Sequence, residues 1–207
     1  SIDATSLNAT VTVTDDAGNT SGAVADTSNL SVDNEAPVIT DANITASLTT
    51  DGNSNGIGNV GDVITVTWDG SATGDNISDE STAVVDLSAF GGGAAQAMFD
   101  DGTNGDATSG DNIYTYAYTV AAGSIDATNL NATVTVTDDA GNVTGPTADT
   151  SNLSEDNEAP VVTDANLAAT ISTDNGAAGI AEVADVITLT WDGSATGDNI
   201  ADVGTVV

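Results

Sequence analysis

From Asp51 to Asp62 the chain sets oxygen-bearing side chains at alternate positions, Asp51, Asn53 and Asn55, then a glycine at the sixth place, Gly56, and an acid at the twelfth, Asp62. That is the spacing of a calcium loop. Ca²⁺ takes about 6 to 8 oxygens at roughly 2.3 to 2.6 Å, and glycine at the sixth place lets the backbone turn so that they converge. Asp62 is shorter than the usual glutamate and would reach an ion with one oxygen; a plain Gly/Asn hairpin loop is the alternative reading. A second run, Asp100 to Asp111, keeps the spacing with Asp100, Asn104, Gly105 and Asp111 and adds Asp101 and Asp106. Four carboxylates so close together repel unless a cation sits among them, so metal is expected here too.

Composition limits the chemistry further. The 207 residues include 32 acids, 27 Asp and 5 Glu, and no Lys, Arg, His or Cys, a formal charge of −32. Every neutralising cation must come from outside, and Ca²⁺ is the expected cofactor. Nucleophilic triads, Schiff bases, phosphate clamps and imidazole zinc sites are excluded. Paired carboxylates remain, but these acids lie in polar turns and not in an apolar pocket that would raise a pKa, so no enzyme is expected. Disulfides and Lys–Asn cross-links are also ruled out. The acidic balance argues against nucleic acid and anionic lipid as partners, and no apolar run approaches the ~20 residues of a membrane helix, so no membrane insertion is expected. A salt-adapted acid coat is the plain alternative for the charge. Eight Asn-x-Ser/Thr sequons, at Asn8, Asn19, Asn29, Asn43, Asn76, Asn131, Asn142 and Asn152, offer sites for glycans on Asn, although a chain so rich in Asn and Thr produces some by composition alone.

Residues 1–84 match residues 124–207 at a constant offset of 123, with 60 of the 84 positions identical. A period this long belongs to whole domains in tandem. The joint Asp33-Asn34-Glu35-Ala36-Pro37 returns unchanged as Asp156-Asn157-Glu158-Ala159-Pro160, its proline stiffening the entry into the next unit. Taking it as the boundary gives the C-terminal part of one repeat (1–35), a complete repeat (36–158) and the N-terminal part of a third (159–207). The partial repeats have too few strands to cover a core, so further chain or strands from other copies should complete them; the expected partners are adjacent repeats or copies of the same chain. The sister loop from Asp174 to Asp185 keeps Asp174, Gly179 and Asp185 but has Gly176 and Ala178 in place of Asn53 and Asn55, and is expected to bind poorly.

Inside the complete repeat the apolar residues alternate: Ile44, Ala46, Leu48; Ile64, Val66, Trp68; Val85, Leu87, Ala89; Ala97, Phe99; Tyr114, Tyr116, Tyr118, Val120; Leu130, Ala132, Val134, Val136. About seven short strands separated by Gly, Asn and Asp turns, with no helical stretch, predict an all-β fold built as a two-sheet sandwich. Trp68 reads as a core aromatic, with ligand stacking as the alternative. The tyrosine stripe reads as a packed face, with a carbohydrate platform as its alternative.

The run Val134-Thr135-Val136-Thr137-Asp138-Asp139-Ala140-Gly141-Asn142, followed by the DNEAP joint, resembles the tandem immunoglobulin-like repeats of large secreted bacterial adhesins and surface-layer proteins. There a TDxAGN turn precedes the last strand and an APxI start opens the next domain. The joint is also similar to the calcium-binding linkers of cadherins, without their full set of Asp and Asn. The 100–111 loop resembles acidic loops that precede an IYT-type strand in secreted bacterial β-domains. The resemblance implies tandem immunoglobulin-like Greek-key β-sandwiches of about seven strands each and a secreted, cell-surface or matrix location. It also implies a sandwich pole where the linker (Asn34, Glu35), the loop after the Trp strand (Asp69, Asp75, Asn76) and the loop before the last strand (Asp138, Asp139, Asn142) meet around Ca²⁺. The third repeat carries Glu158, Asp192, Asp198 and Asn199 at matching places. Two functions are consistent with this: a calcium-stiffened building block of a surface layer, sheath or extracellular filament, or the passive stalk of a giant calcium-dependent adhesin.

Overall fold

A computed structural model describes residues 2–72 and 80–195. The chain divides into two compact units, Ser1–Asn157 and Glu158–Val207. The boundary lies one residue before the expected end of the complete repeat, and residues 1–35 group with that repeat. Among the described residues the regular elements are strands and three-residue 3-10 turns, and no helix is long and apolar enough to cross a membrane.

In chain order, the first unit holds β1 (Asp3–Leu7), β2 (Thr10–Val11), β3 (Val24–Ala25), β4 (Leu30–Asp33), β5 (Ile44–Thr50), β6 (Val63–Asp69), β7 (Glu80–Asp86), β8 (Gln96–Ala97), β9 (Ile113–Thr119), β10 (Asp126–Leu130), β11 (Thr133–Asp138), β12 (Val143–Ala148) and β13 (Leu153–Asp156). Two sheets dominate, one in the order β5-β6-β9 and the other β12-β11-β7-β8, every pairing antiparallel. Alternation along the strands gives each sheet one apolar face. Ile44, Ala46, Ile64, Val66 and Trp68 of the first join Ala83, Val85, Val134 and Val136 of the second in a single buried cluster. Trp68 is fully buried, its ring 5.4 Å from that of Tyr114. The tyrosine stripe is half-buried and packs on the same cluster.

One expected strand stops early. Val85 and Leu87 are buried as the alternation requires, but β7 ends at Asp86, whose Oδ1 accepts the Ser88 amide at 2.8 Å and turns the chain into a 3-10 turn, Ser88–Phe90. Phe90 takes the buried place and Ala89 faces out. Gly92 makes the turn fit, since a Cβ there would stand 2.8 Å from that of Leu87.

The repeat extends to the register. β1 pairs β4 as Asp3↔Asp33, Ala4↔Val32 and Leu7↔Leu30, and β10 pairs β13 as Asp126↔Asp156, Ala127↔Glu155 and Leu130↔Leu153, with the irregularity at the same step. In the second unit β14 (Leu167–Thr173) pairs β15 (Val186–Trp191) from Leu167↔Trp191 onward, as Ile44 pairs Trp68 in the first. Burial does not repeat: Val134 and Val136 are fully buried, whereas their copies Val11 and Val13 are 61% and 62% exposed; β2 pairs with β3 in a two-stranded sheet, and neither strand contributes to the buried cluster.

Candidate metal centre

The 100–111 loop leaves the sheet at a bridge in which the Phe99 amide donates to the Thr115 carbonyl at 2.9 Å and the Thr115 amide to that of Phe99 at 2.8 Å. It folds back on β9, where the Ala117 amide donates to the Asn104 carbonyl at 3.1 Å. Gly105, at φ +99°, permits this approach, for a Cβ there would lie 2.7 Å from that of Ala117. The fold-back gathers Asp100, Asp106 and Asp111, each offering a carboxylate oxygen within 4.8 Å of the others, with Asp106 buried and the other two half-buried.

Peptide amides partly offset this charge. Asp100 Oδ1 accepts from Gly110 and Asp111 at 2.9 and 3.1 Å, and its Oδ2 from Asn112 at 3.1 Å. Asp106 Oδ2 accepts from Gly102 at 2.6 Å, and Asp111 Oδ1 from Ile113 at 3.0 Å. A carboxylate oxygen that takes one N–H keeps a further lone pair, so the donor set fits a hard cation: three carboxylates, all oxygen, spanning what one ion with ligands at about 2.4 Å bridges. Asn104, expected to join them, is exposed and donates its side-chain amide to Thr103 Oγ1 at 2.9 Å.

The 51–62 loop has the expected frame. Asp51 accepts the amides of Asn55 and Gly56 at 3.2 and 2.8 Å, and Asp62 those of Gly52 and Asn59 at 2.8 and 2.9 Å. The amides of Asn59 and Gly52 hold the Asp62 carboxyl below its ordinary pKa, against the opposing effect of burial. At the centre, where spacing places a cation, stands the side-chain amide of Asn59. Its nitrogen donates to Asn53 Oδ1 (3.2 Å), Asn55 Oδ1 (3.4 Å), the Ile57 carbonyl (2.8 Å) and Asp62 Oδ2 (3.3 Å). In the second unit Asp174 and Asp185 rebuild the frame, accepting the Gly179 amide at 3.0 Å and those of Asn175 and Glu182 at 2.8 Å each. Glu182 replaces Asn59, and a Cβ on Gly176 would fall 2.0 Å from its Oε2, so the exchange of Asn53 for Gly176 and of Asn59 for Glu182 goes together.

At the joint, asparagines bind the neighbouring chain segment and acids close turns. Asn34 Oδ1 accepts the Ile2 amide at 2.7 Å, and its copy Asn157, buried, accepts that of Ile125 at 2.8 Å. Asp138 is buried and chelates Asn142, Oδ1 taking its backbone amide at 2.7 Å and Oδ2 its side chain at 2.9 Å. Burial pushes the Asp138 pKa up, but the hydrogen bonds from Asn142, Gly141 and Ala140 outweigh it and hold the group below its ordinary value. Asn142 also reaches the Glu35 carbonyl at 3.5 Å, joining two of the three expected segments. Asp69 accepts the Ser71 amide and hydroxyl at 3.1 and 2.7 Å; Glu35 and Asp139 are exposed. Among the described residues no three carboxylates of this pole converge. In the second unit Asp192 accepts from Ser194 as Asp69 does from Ser71, and Glu158 is half-buried. Asp75, Asn76, Asp198 and Asn199 lie outside the described residues.

The sequon asparagines hold local turns and longer-range contacts alike. Asn8, Asn19, Asn43, Asn131, Asn142 and Asn152 each donate a side-chain N–H to a nearby oxygen, and the second N–H of each amide is the one a glycan would replace. Sequence reasoning passed over one group: Glu155, 1% exposed in β13, where the preceding repeat has Val32. The difference between the two repeats at this position was the available signal. No protein-family model matches the chain, and no curated protein is significantly similar to it.

Proposed function

We propose that the chain is a run of tandem immunoglobulin-like repeats with a mechanical role, serving as a non-enzymatic, calcium-stiffened building block of a secreted surface layer, sheath or extracellular filament. The observation that carries the reading is the convergence of Asp100, Asp106 and Asp111 within 4.8 Å in a chain that has no base to answer them. A Ca²⁺ ion held there supplies the missing positive charge and ties the loop to the start of β9. The orders β5-β6-β9 and β12-β11-β7-β8 around one core support the immunoglobulin-like Greek-key assignment.

A cation bound only by the folded chain raises its stability, by about 2.7 kcal/mol when free ion is at a hundredfold excess over Kd. The intact chain should therefore melt several degrees higher in millimolar Ca²⁺ than in excess EGTA, and Asp106→Asn should remove most of that gain. Equal melting temperatures in the two buffers would sink the calcium reading. Electron microscopy of native material tests the assembly: ordered layers or filaments are expected, and isolated beaded fibrils would turn the reading to an adhesin stalk.

A further inference from the structure

Glu155 stands where a fold without bases has no evident use for an acid. It is 1% exposed, its Oε1 accepts the Asn157 side-chain amide at 2.7 Å, and its Oε2 is buried with no hydrogen-bond partner. A buried carboxylate left half-satisfied is costly as an anion and far less so as the neutral acid. Its backbone is also the place where the 51–62 loop docks on the last strand of the unit. Gly58 forms a parallel bridge with Glu155: its amide donates to the Ser154 carbonyl at 2.9 Å, and its carbonyl accepts the Asp156 amide at 3.0 Å. Gly58 lies over the acid's stem, for a Cβ there would be 3.8 Å from Glu155 Cγ.

We propose that Glu155 is a proton-operated latch: while neutral it keeps the 51–62 loop docked on β13, and loss of its proton lets that loop lift so that water reaches the anion. The inference does not rest on any cation site. Burial pushes the Glu155 carboxyl up to about 7, only partly countered by the bond from Asn157. The charged groups on the elements packed around it are carboxylates, Asp126 on β10, Asp51 and Asp62 in the loop and Asp156 on its own strand, and the chain has no base to favour the anion. With no His or Cys present, no side-chain type in the chain has an ordinary pKa between about 6 and 8.

A group whose folded pKa is raised contributes stability that is whole below its ordinary value of 4.5 and is lost as pH rises through about 7. Amide hydrogen exchange in the intact chain reads this directly. The protection factors of the Gly58 and Asp156 amides should fall about tenfold per unit between about pH 5 and 7 and level off above, the slope of one linked proton. By about pH 8 both should be less protected than the amides of Val66 and Val134. Glu155→Gln, which keeps the shape without the charge, should flatten the dependence. Glu155→Val, the residue the preceding repeat uses, should do the same and serves if the glutamine variant fails to fold. Protection that is flat in the unaltered chain, an unchanged slope in both variants, or protection equal to that of Val66 and Val134 throughout would overturn the latch.

Discussion

An acid with no basic side chain to meet takes its counter-charge from the side-chain donors of Asn and Ser and from peptide N–H groups. Asp15, Asp26, Asp62, Asp86, Asp138 and Asp185 are all held below their ordinary pKa by hydrogen bonds at turns. Asp15 and Asp138 close the TDDAGN turn alike, each chelating the asparagine four residues on. A depressed carboxyl contributes stability that is present above its ordinary value and lost as pH falls through the lower folded one. Asp138→Asn should therefore lower the melting temperature at about pH 6, and its gap to the unaltered chain should close below the ordinary value of 3.8. A gap that does not change with pH would show that charge plays no part in the turn.

At the scale of strands the same residue does different work according to what covers it. Trp68 is fully buried between sheets, whereas its copy Trp191 is half-buried on β15. Trp68→Ala should cost the first unit about 3–5 kcal/mol, and Trp191→Ala should cost the second unit clearly less, as read by circular dichroism in urea. Equal losses would mean that Trp191 is covered as fully as Trp68. The central strands were legible because Ile64, Val66, Trp68 and Val134, Val136 alternate cleanly with threonine. β12 was not, since Gly145 and Pro146 interrupt it, and β13, at four residues, is too short to show a period. Spacing found the acids of the 100–111 loop, but it counts acceptors. It could not foresee that Asn59 would bring a donor to the centre of the other loop, or that Asp69 and Asp138 would each accept hydrogen bonds from their own turns.

Over the whole molecule, a charge of −32 without one base acts as self-repulsion that ions must screen. Raising NaCl from about 0.05 M to about 1 M shortens the screening length from more than 10 Å to roughly 3 Å, and the melting temperature should rise by several degrees. No change, measured with EGTA present, would show that the fold has spaced its acids widely enough to need no screening.

The identity of register between β1–β4 and β10–β13 bears on how such a chain reaches its fold. β4 offers β10 the same Leu, Ser and Asp, in the same order, that β13 does, so the two compete for one partner while the chain is still forming. Wrong pairing of neighbours is the characteristic failure of tandem repeats. The one difference between these strands, Val32 against Glu155, is at a position buried in β13 and 40% exposed in β4, and it gives the chain a means of telling its own strand from its neighbour's.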